Sequence, residues 1–182
     1  MLDYFLDAKI GIRRFRPEDV AGLYEAVRES IDELCTWMVW CHPNYSINDS
    51  KNFIASCDAA WEKREHLSFV IFDVHSGVLV GSIGLNHLDS VNQSANIGYW
   101  VRKSRTREGN ASAATSLIAS FGLRELGLNR LELVVPVKNE ASQRTAAKAG
   151  AKRLGMARKR LVINGHAHDA YLYSFILEDL VV

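Results

Sequence analysis

The chain has 182 residues, a formal net charge of +1 at pH 7 and 48 % apolar residues. That length and apolar content suit one packed core, so a single domain over 1–182 is expected and a disordered chain is excluded. A charge so close to zero provides no field that would draw the protein to nucleic acid or to a membrane surface, and neither is expected as a partner.

The first residues carry Asp3 and Asp7 where a secretory signal would be basic, and no apolar run approaches the ~20 residues of a membrane span. Cys35, Cys41 and Cys57 are odd in number and lack a CxxC spacing, a usage that fits reduced thiols in the cytoplasm better than a disulfide framework or a zinc site.

In chain order, 10–15 reads as a short strand, and Pro17 opens a helix with Val20, Leu23, Tyr24, Val27 and Ile31 on one face. Residues 34–40 are apolar and hold Trp37 and Trp40, until Pro43-Asn44 breaks the stretch. Asn48, Asp49 or Ser50 can cap a second long helix whose inward residues are Phe53, Ile54, Cys57 and Trp61. Residues 67–73 and 78–87 form a hairpin about Ser76-Gly77, and 89–93 is a polar turn into a strand over 94–101.

A basic turn, 102–108, follows, and Gly109-Asn110-Ala111 then opens a helix that buries Ala114, Leu117, Ile118 and Phe121 and ends near Gly127. Residues 131–135 are β-rich, Asn139 can cap a helix over 141–149, and Gly150 ends it. Asn164-Gly165 is a strong hairpin signal joining strands around 154–163 and 167–177. This order predicts an α+β (mixed α/β) fold: a largely antiparallel mixed sheet of about seven strands with helices on both faces.

The basic turn is the chemically loaded stretch. Four of the six residues Arg102 to Arg107 are cationic. They precede a helix N-terminus, where the macrodipole disfavours positive charge. An anion bound on the free N–H groups there would explain them, with Gly109 letting the backbone approach; a solvated charge run is the plainer alternative.

The chain resembles the GNAT superfamily of acetyl-CoA-dependent N-acetyltransferases, most closely the RimJ/RimL type, which acetylates N-terminal amines of ribosomal proteins. The likeness spans nearly the whole chain. It rests on Ile97-Gly98-Tyr99-Trp100-Val101, Glu108-Gly109-Asn110-Ala111, the run 125–133, Asn139-Glu140-Ala141-Ser142-Gln143-Arg144, and Asn164-Gly165 with His168-Asp169. It implies that the pyrophosphate of acetyl-CoA sits on Arg107, Glu108, Gly109, Asn110 and Ala111, with Arg102 nearby. It also implies that the pantetheine pairs with Tyr99, Trp100 and Val101 as an added strand, and that Asn139 and Ser142 face the pantetheine and the thioester sulfur. The family's turn usually begins with Gln or Arg; this chain has Thr106, flanked by Arg105 and Arg107.

By the same likeness Ser142 is the proton donor to the leaving thiolate, although a serine in a first helical turn also bonds its own backbone. Where some RimL-type enzymes place a glutamate, three residues before the Asn-Gly turn, this chain has Leu161. Glu132 is then the nearest carboxylate candidate for a base and His168 a second, and a mechanism without a side-chain base fits an α-amine acceptor better than a lysine. Trp37 and Trp40 match a segment that borders the acceptor, with core packing or a dimer contact as the alternative. No metal is expected: His166 and His168 astride a hairpin lack further ligands. The resemblance further implies CoA as product and a homodimer. It leaves three readings of function: acetylation of a protein N-terminus, acetylation of a small amine such as an antibiotic, polyamine or amino-acid conjugate, and an acyl-CoA-binding relative without turnover.

Overall fold

The computed structural model describes residues 4–180. Its sheet has eight strands: β1 (Tyr4–Leu6), β2 (Ile10–Arg14), β3 (His66–Asp73), β4 (Leu79–Asp89), β5 (Ser94–Val101), β6 (Arg130–Pro136), β7 (Lys152–Ile163) and β8 (His166–Phe175). The strand order is β1-β2-β3-β4-β5-β6-β8-β7. Every neighbouring pair is antiparallel except β5 and β6. The expected sheet is thus present with one strand more. The addition is β1, three residues long and edge-placed, whose inward Phe5 packs on Phe69 and Phe121. So short a strand beside two aspartates leaves no alternation to read.

The helices are α1 (Val20–Glu29), α2 (Ile31–Trp37), α3 (Ile47–Glu62), α4 (Asn110–Ser120) and α5 (Glu140–Lys148). The sheet is sandwiched, which explains the unbroken apolar run Phe69-Val70-Ile71. Phe69 and Ile71 point into one cluster with Ile118, Phe121 and Leu133, while Val70 joins Leu23, Val27, Leu34 and Trp100 in the cluster under α1, α2 and α3.

Three boundaries differ from the sequence reading. Ser30 turns its hydroxyl onto the Ala26 carbonyl at 2.8 Å and leaves helical geometry, so α2 is separate from α1 and includes the first half of the tryptophan stretch. α3 begins at Ile47 on the cap Ser46, earlier than the expected Asn48, Asp49 or Ser50. Asp49 lies inside the first turn, and its carboxylate accepts the Ser46 N–H and hydroxyl, each at 2.7 Å. The helix expected to reach Gly127 instead changes at Phe121 into a π-turn, Phe121–Glu125, before Gly127 ends it at φ +67°.

The feature that positions the site is the brevity of the one parallel pairing. β5 and β6 are in register only at Ser94↔Arg130, Ala95↔Leu131 and Asn96↔Glu132. Beyond Asn96, β5 stays paired with β4 out to Val101, and β6 stays with β8 out to Pro136. The two strands therefore splay, leaving the facing backbone edges of 97–101 and 133–136 without a strand partner.

Candidate active site

The splay opens one side of a cavity of about 650 Å³, lined by β5 from Asn96 to Trp100 and by β6 from Leu133 to Pro136. α5 starts just past the end of β6. The Asn139 side chain caps it by accepting the Ser142 N–H at 3.0 Å, which orients the Ser142 side chain at the cavity lining. From across the cleft the Tyr99 hydroxyl reaches the Ser142 hydroxyl at 2.8 Å. Burial pushes the Tyr99 phenol above its ordinary range, which keeps it protonated at neutral pH. Tyr99, Asn139 and Ser142, all three named through the family resemblance, are in contact here. The Tyr99–Ser142 bond itself has no sequence signal, because the two residues stand 43 positions apart.

The basic turn is built differently from the expectation. Three of its four cations are paired internally. Arg102 donates to Glu29 through Nε at 2.9 Å, Lys103 Nζ lies 2.8 Å from Glu33, and Arg105 contacts Asp73 at 2.6 Å and Glu108 at 3.1 Å. These cations balance carboxylates from α1, α2 and β3, so they need no bound anion to account for them. The Glu108 carboxylate is likewise taken up, held below its ordinary range by Lys9 and then Arg105. Among the described residues Arg107 has no carboxylate partner; it is exposed, with φ +63°.

An anion cradle nevertheless remains. Among the described residues no side chain caps the N-terminus of α4, and Gly109 precedes it at φ +86°. A Cβ at Gly109 would stand 3.4 Å from the Lys148 ammonium, which reaches over from the last turn of α5. Free N–H groups, a glycine that leaves the approach clear, and Lys148 with Arg107 nearby fit the phosphates of a nucleotide cofactor. Lys148 escaped the sequence reading because a lysine in a final helical turn is the ordinary choice there.

One side of the cavity has an aromatic wall. Trp37 and Trp40 both line it; Trp40 is 44 % exposed and its ring lies 6.2 Å from Trp100 and 6.0 Å from Tyr45. Leu161 lines it as well. Glu132 does not: it sits at the last paired position of β6, with its carboxylate 2.8 Å from Arg130. His168 stands opposite Leu161 on β8, outside the lining. Asp49 is the one lining carboxylate among the described residues, and it is occupied capping α3. Three lining histidines, His42, His66 and His87, were not selected from the sequence, where isolated histidines carry no pattern. Among the described residues no group of three or more His, Cys, Asp or Glu gathers as for a metal ion, and no helix is long and apolar enough to cross a membrane.

Comparison with known proteins agrees with this geometry. The family model described as an acetyltransferase (GNAT) domain matches residues 9–152. The Bacillus subtilis (strain 168) protein YdaF, named provisionally as a ribosomal N-acetyltransferase, is 30 % identical over 170 residues, 92 % of this chain and 91 % of YdaF. The ribosomal-protein-serine acetyltransferase of Escherichia coli (strain K12) is 27 % identical over 100 residues, 55 % of this chain and 56 % of that protein. A solved structure from Vibrio cholerae, named provisionally as a ribosomal-protein-serine acetyltransferase, superposes with a TM-score of 0.82 at 26 % identity, covering 95 % of this chain and 97 % of that one. With a splayed β5–β6 pair, an uncapped α4 behind Gly109 and a family match over most of its length, the chain belongs to the GNAT family and is an acetyl-CoA-dependent N-acetyltransferase.

Proposed function

We propose that the acceptor is the N-terminal α-amine of a protein, such as a ribosomal protein. The observation that carries this reading is the acceptor cavity's lack of a free carboxylate: Leu161 stands where a glutamate base would, Asp49 caps α3, and Glu132 is paired with Arg130. An α-amine, with a pKa of ~7.7–8.0, is substantially neutral near pH 7.5, whereas a lysine amine at ~10.4 is only about 0.1 % neutral there. A site without a free carboxylate base therefore favours the α-amine by the substrate's own titration, whichever part the lining His42, His66 and His87 take. The names of YdaF and of the Escherichia coli relative support the same acceptor class.

Acetyl-CoA, when bound, supplies an activated acetyl group on a thiol leaving group. The α4 N-terminus, Gly109, Arg107 and Lys148 hold its phosphates, and the unpaired edge of 97–101 offers N–H groups to its amides and to the reacting carbonyl. Ser142, fixed by Asn139, donates a proton at the leaving sulfur and is reprotonated through Tyr99, the balancing proton being the one that the acetylated amine releases to solvent. Trp37 and Trp40 exclude water from the entering amine.

We further infer a homodimer and a cytoplasmic setting. The support is the edge strand β7, which exposes Leu154, Met156 and Val162, and three free thiols. Acetylation of a small amine is the second reading, favoured by the exposed Trp40 ring on which a flat ligand could stack. Thiol release on a peptide with a free α-amine, on the same peptide N-blocked with an internal lysine, and on a panel of small amines tests the proposal. The free α-amine peptide should be turned over far faster, and equal or better rates on the lysine peptide or a small amine would overturn it.

A further inference from the structure

Cys35 lies in the last turn of α2 and Cys41 four residues beyond the helix, and their Sγ atoms stand 2.8 Å apart as two free thiols. Cys35 is half-buried and Cys41 buried. The four side chains from Trp37 to Trp40 all line the acceptor cavity, and the Asn164 side-chain amide at the β7–β8 turn donates to the Cys35 carbonyl at 3.0 Å. The third thiol differs: Cys57 in α3 is 3 % exposed, donates to the Phe53 carbonyl at 3.3 Å and has no sulfur neighbour.

We propose that Cys35 and Cys41 are a modification site, a redox-active dithiol that closes to an intramolecular disulfide across the tryptophan wall. The oxidant is a hydroperoxide. The Cys35 sulfur, the more accessible one, takes an oxygen from hydrogen peroxide to give a sulfenic acid and one water. The Cys41 sulfur then attacks the Cys35 sulfur; the S–S bond forms, the S–O bond breaks, and the departing hydroxide leaves with the Cys41 proton as a second water. The dithiol loses two electrons and two protons, and a dithiol reductant restores it. Burial, reinforced by the Cys35 sulfur, pushes the Cys41 thiol up, which makes it the slower of the two toward peroxide; its part as the resolving thiol rests on the 2.8 Å separation. Because the ring closed by the disulfide contains Trp37 and Trp40, the oxidation state is coupled to the wall that meets the acceptor. That last step rests on the proposed acceptor reading; the thiol chemistry does not.

The test needs no turnover. Folded protein is treated with hydrogen peroxide and its intact mass, thiol titre and tryptophan emission are read before and after dithiothreitol. The expected result is a reversible loss of about 2 Da, two hydrogens, with the free-thiol count falling from three to one and a change in emission. Cys57→Ser should still lose that mass, while Cys35→Ser and Cys41→Ser should not. Oxygen adducts without mass loss, covalent dimers, or mass loss persisting in Cys35→Ser would overturn the proposed pair. An unchanged emission in protein that carries the disulfide would overturn its coupling to the wall.

Discussion

The Tyr99 and Ser142 hydroxyls meet at 2.8 Å across the mouth of the β5–β6 cleft, one from the strand and one from the first turn of α5. In that pair one hydroxyl donates and the other accepts, which leaves the accepting hydroxyl's own proton free for a third group. Ser142→Ala should lower kcat by about 10²-fold, the scale of general-acid catalysis, while leaving acetyl-CoA affinity largely intact. Tyr99→Phe should lower kcat less, because it leaves the Ser142 hydroxyl in place to serve the leaving sulfur. If the two act as a relay, the double variant should be little worse than Ser142→Ala alone. Steady-state kinetics on the four proteins reads this, and wild-type turnover in Ser142→Ala would remove that residue from the mechanism.

The turn before α4 separates two kinds of basic residue, and binding should separate them too. Acetyl-CoA should raise the melting temperature, since a ligand that binds the native state stabilises it by mass action. Gly109→Val places a β-branched residue at φ +86° and within reach of Lys148, and should abolish the shift. Lys148→Met should weaken acetyl-CoA binding by about tenfold, one charge-assisted hydrogen bond. Arg102→Gln should instead lower the melting temperature of the free protein and leave the ligand-induced shift in place, because Arg102 is committed to Glu29. Calorimetry and thermal melts on these three variants measure both effects.

How much of this was legible beforehand divides along physical lines. The strand 94–101, the Gly109 start of α4, the Asn139 cap and the Asn164-Gly165 turn were readable because each is a local pattern: alternation, a required backbone conformation, or a side chain serving its own helix. The role of the basic turn was not. Arg102, Lys103 and Arg105 look like an anion site in sequence because their carboxylate partners Glu29, Glu33 and Asp73 are remote in the chain. Lys148 and the bond from Tyr99 to Ser142 were hidden for the same reason. Glu132 seemed near the site because β6 leads into α5, but the cavity begins one residue later, at Leu133. Ser46 was passed over as a cap because Asp49, its reciprocal partner, is equally good cap chemistry.

The same ion pairs set an acid limit on the fold. Burial pushes Glu29 up, but hydrogen bonds from Arg102 and Ser104 outweigh it and hold the carboxyl at about 2 against an ordinary 4.5. Asp73, held chiefly by Arg105, is also well below the usual carboxylate range. A carboxyl depressed in the folded state stabilises it fully above the unfolded pKa and loses that contribution as pH falls toward the folded one. The melting temperature should therefore fall as pH drops from about 4.5 to about 2. Glu29→Gln should be less stable than wild type at pH 7, with the gap narrowing across that interval. A gap of constant size from pH 7 to pH 2 would show that it does not arise from the ionised Glu29 carboxylate.

The acceptor's own titration should dominate the pH dependence of turnover. With Leu161 lining the cavity and Glu132 held by Arg130 outside it, no carboxylate stands ready to take a proton from an ammonium. On a peptide with a free α-amine and a small first residue, kcat/KM should rise through roughly pH 7 to 8, following the amine's pKa of ~7.7–8.0. Substituting an amine of lower pKa, such as an α-hydrazino or fluorinated analogue of the first residue, should move the rise down by the same amount. A profile set by a protein group would stay where it was. Glu132→Gln and His168→Ala should each keep most of the activity, since neither residue lines the cavity. A loss of about 10²-fold in Glu132→Gln, the scale of a general base, would make that carboxylate the base and end the reading of a site that relies on the substrate's own neutral fraction.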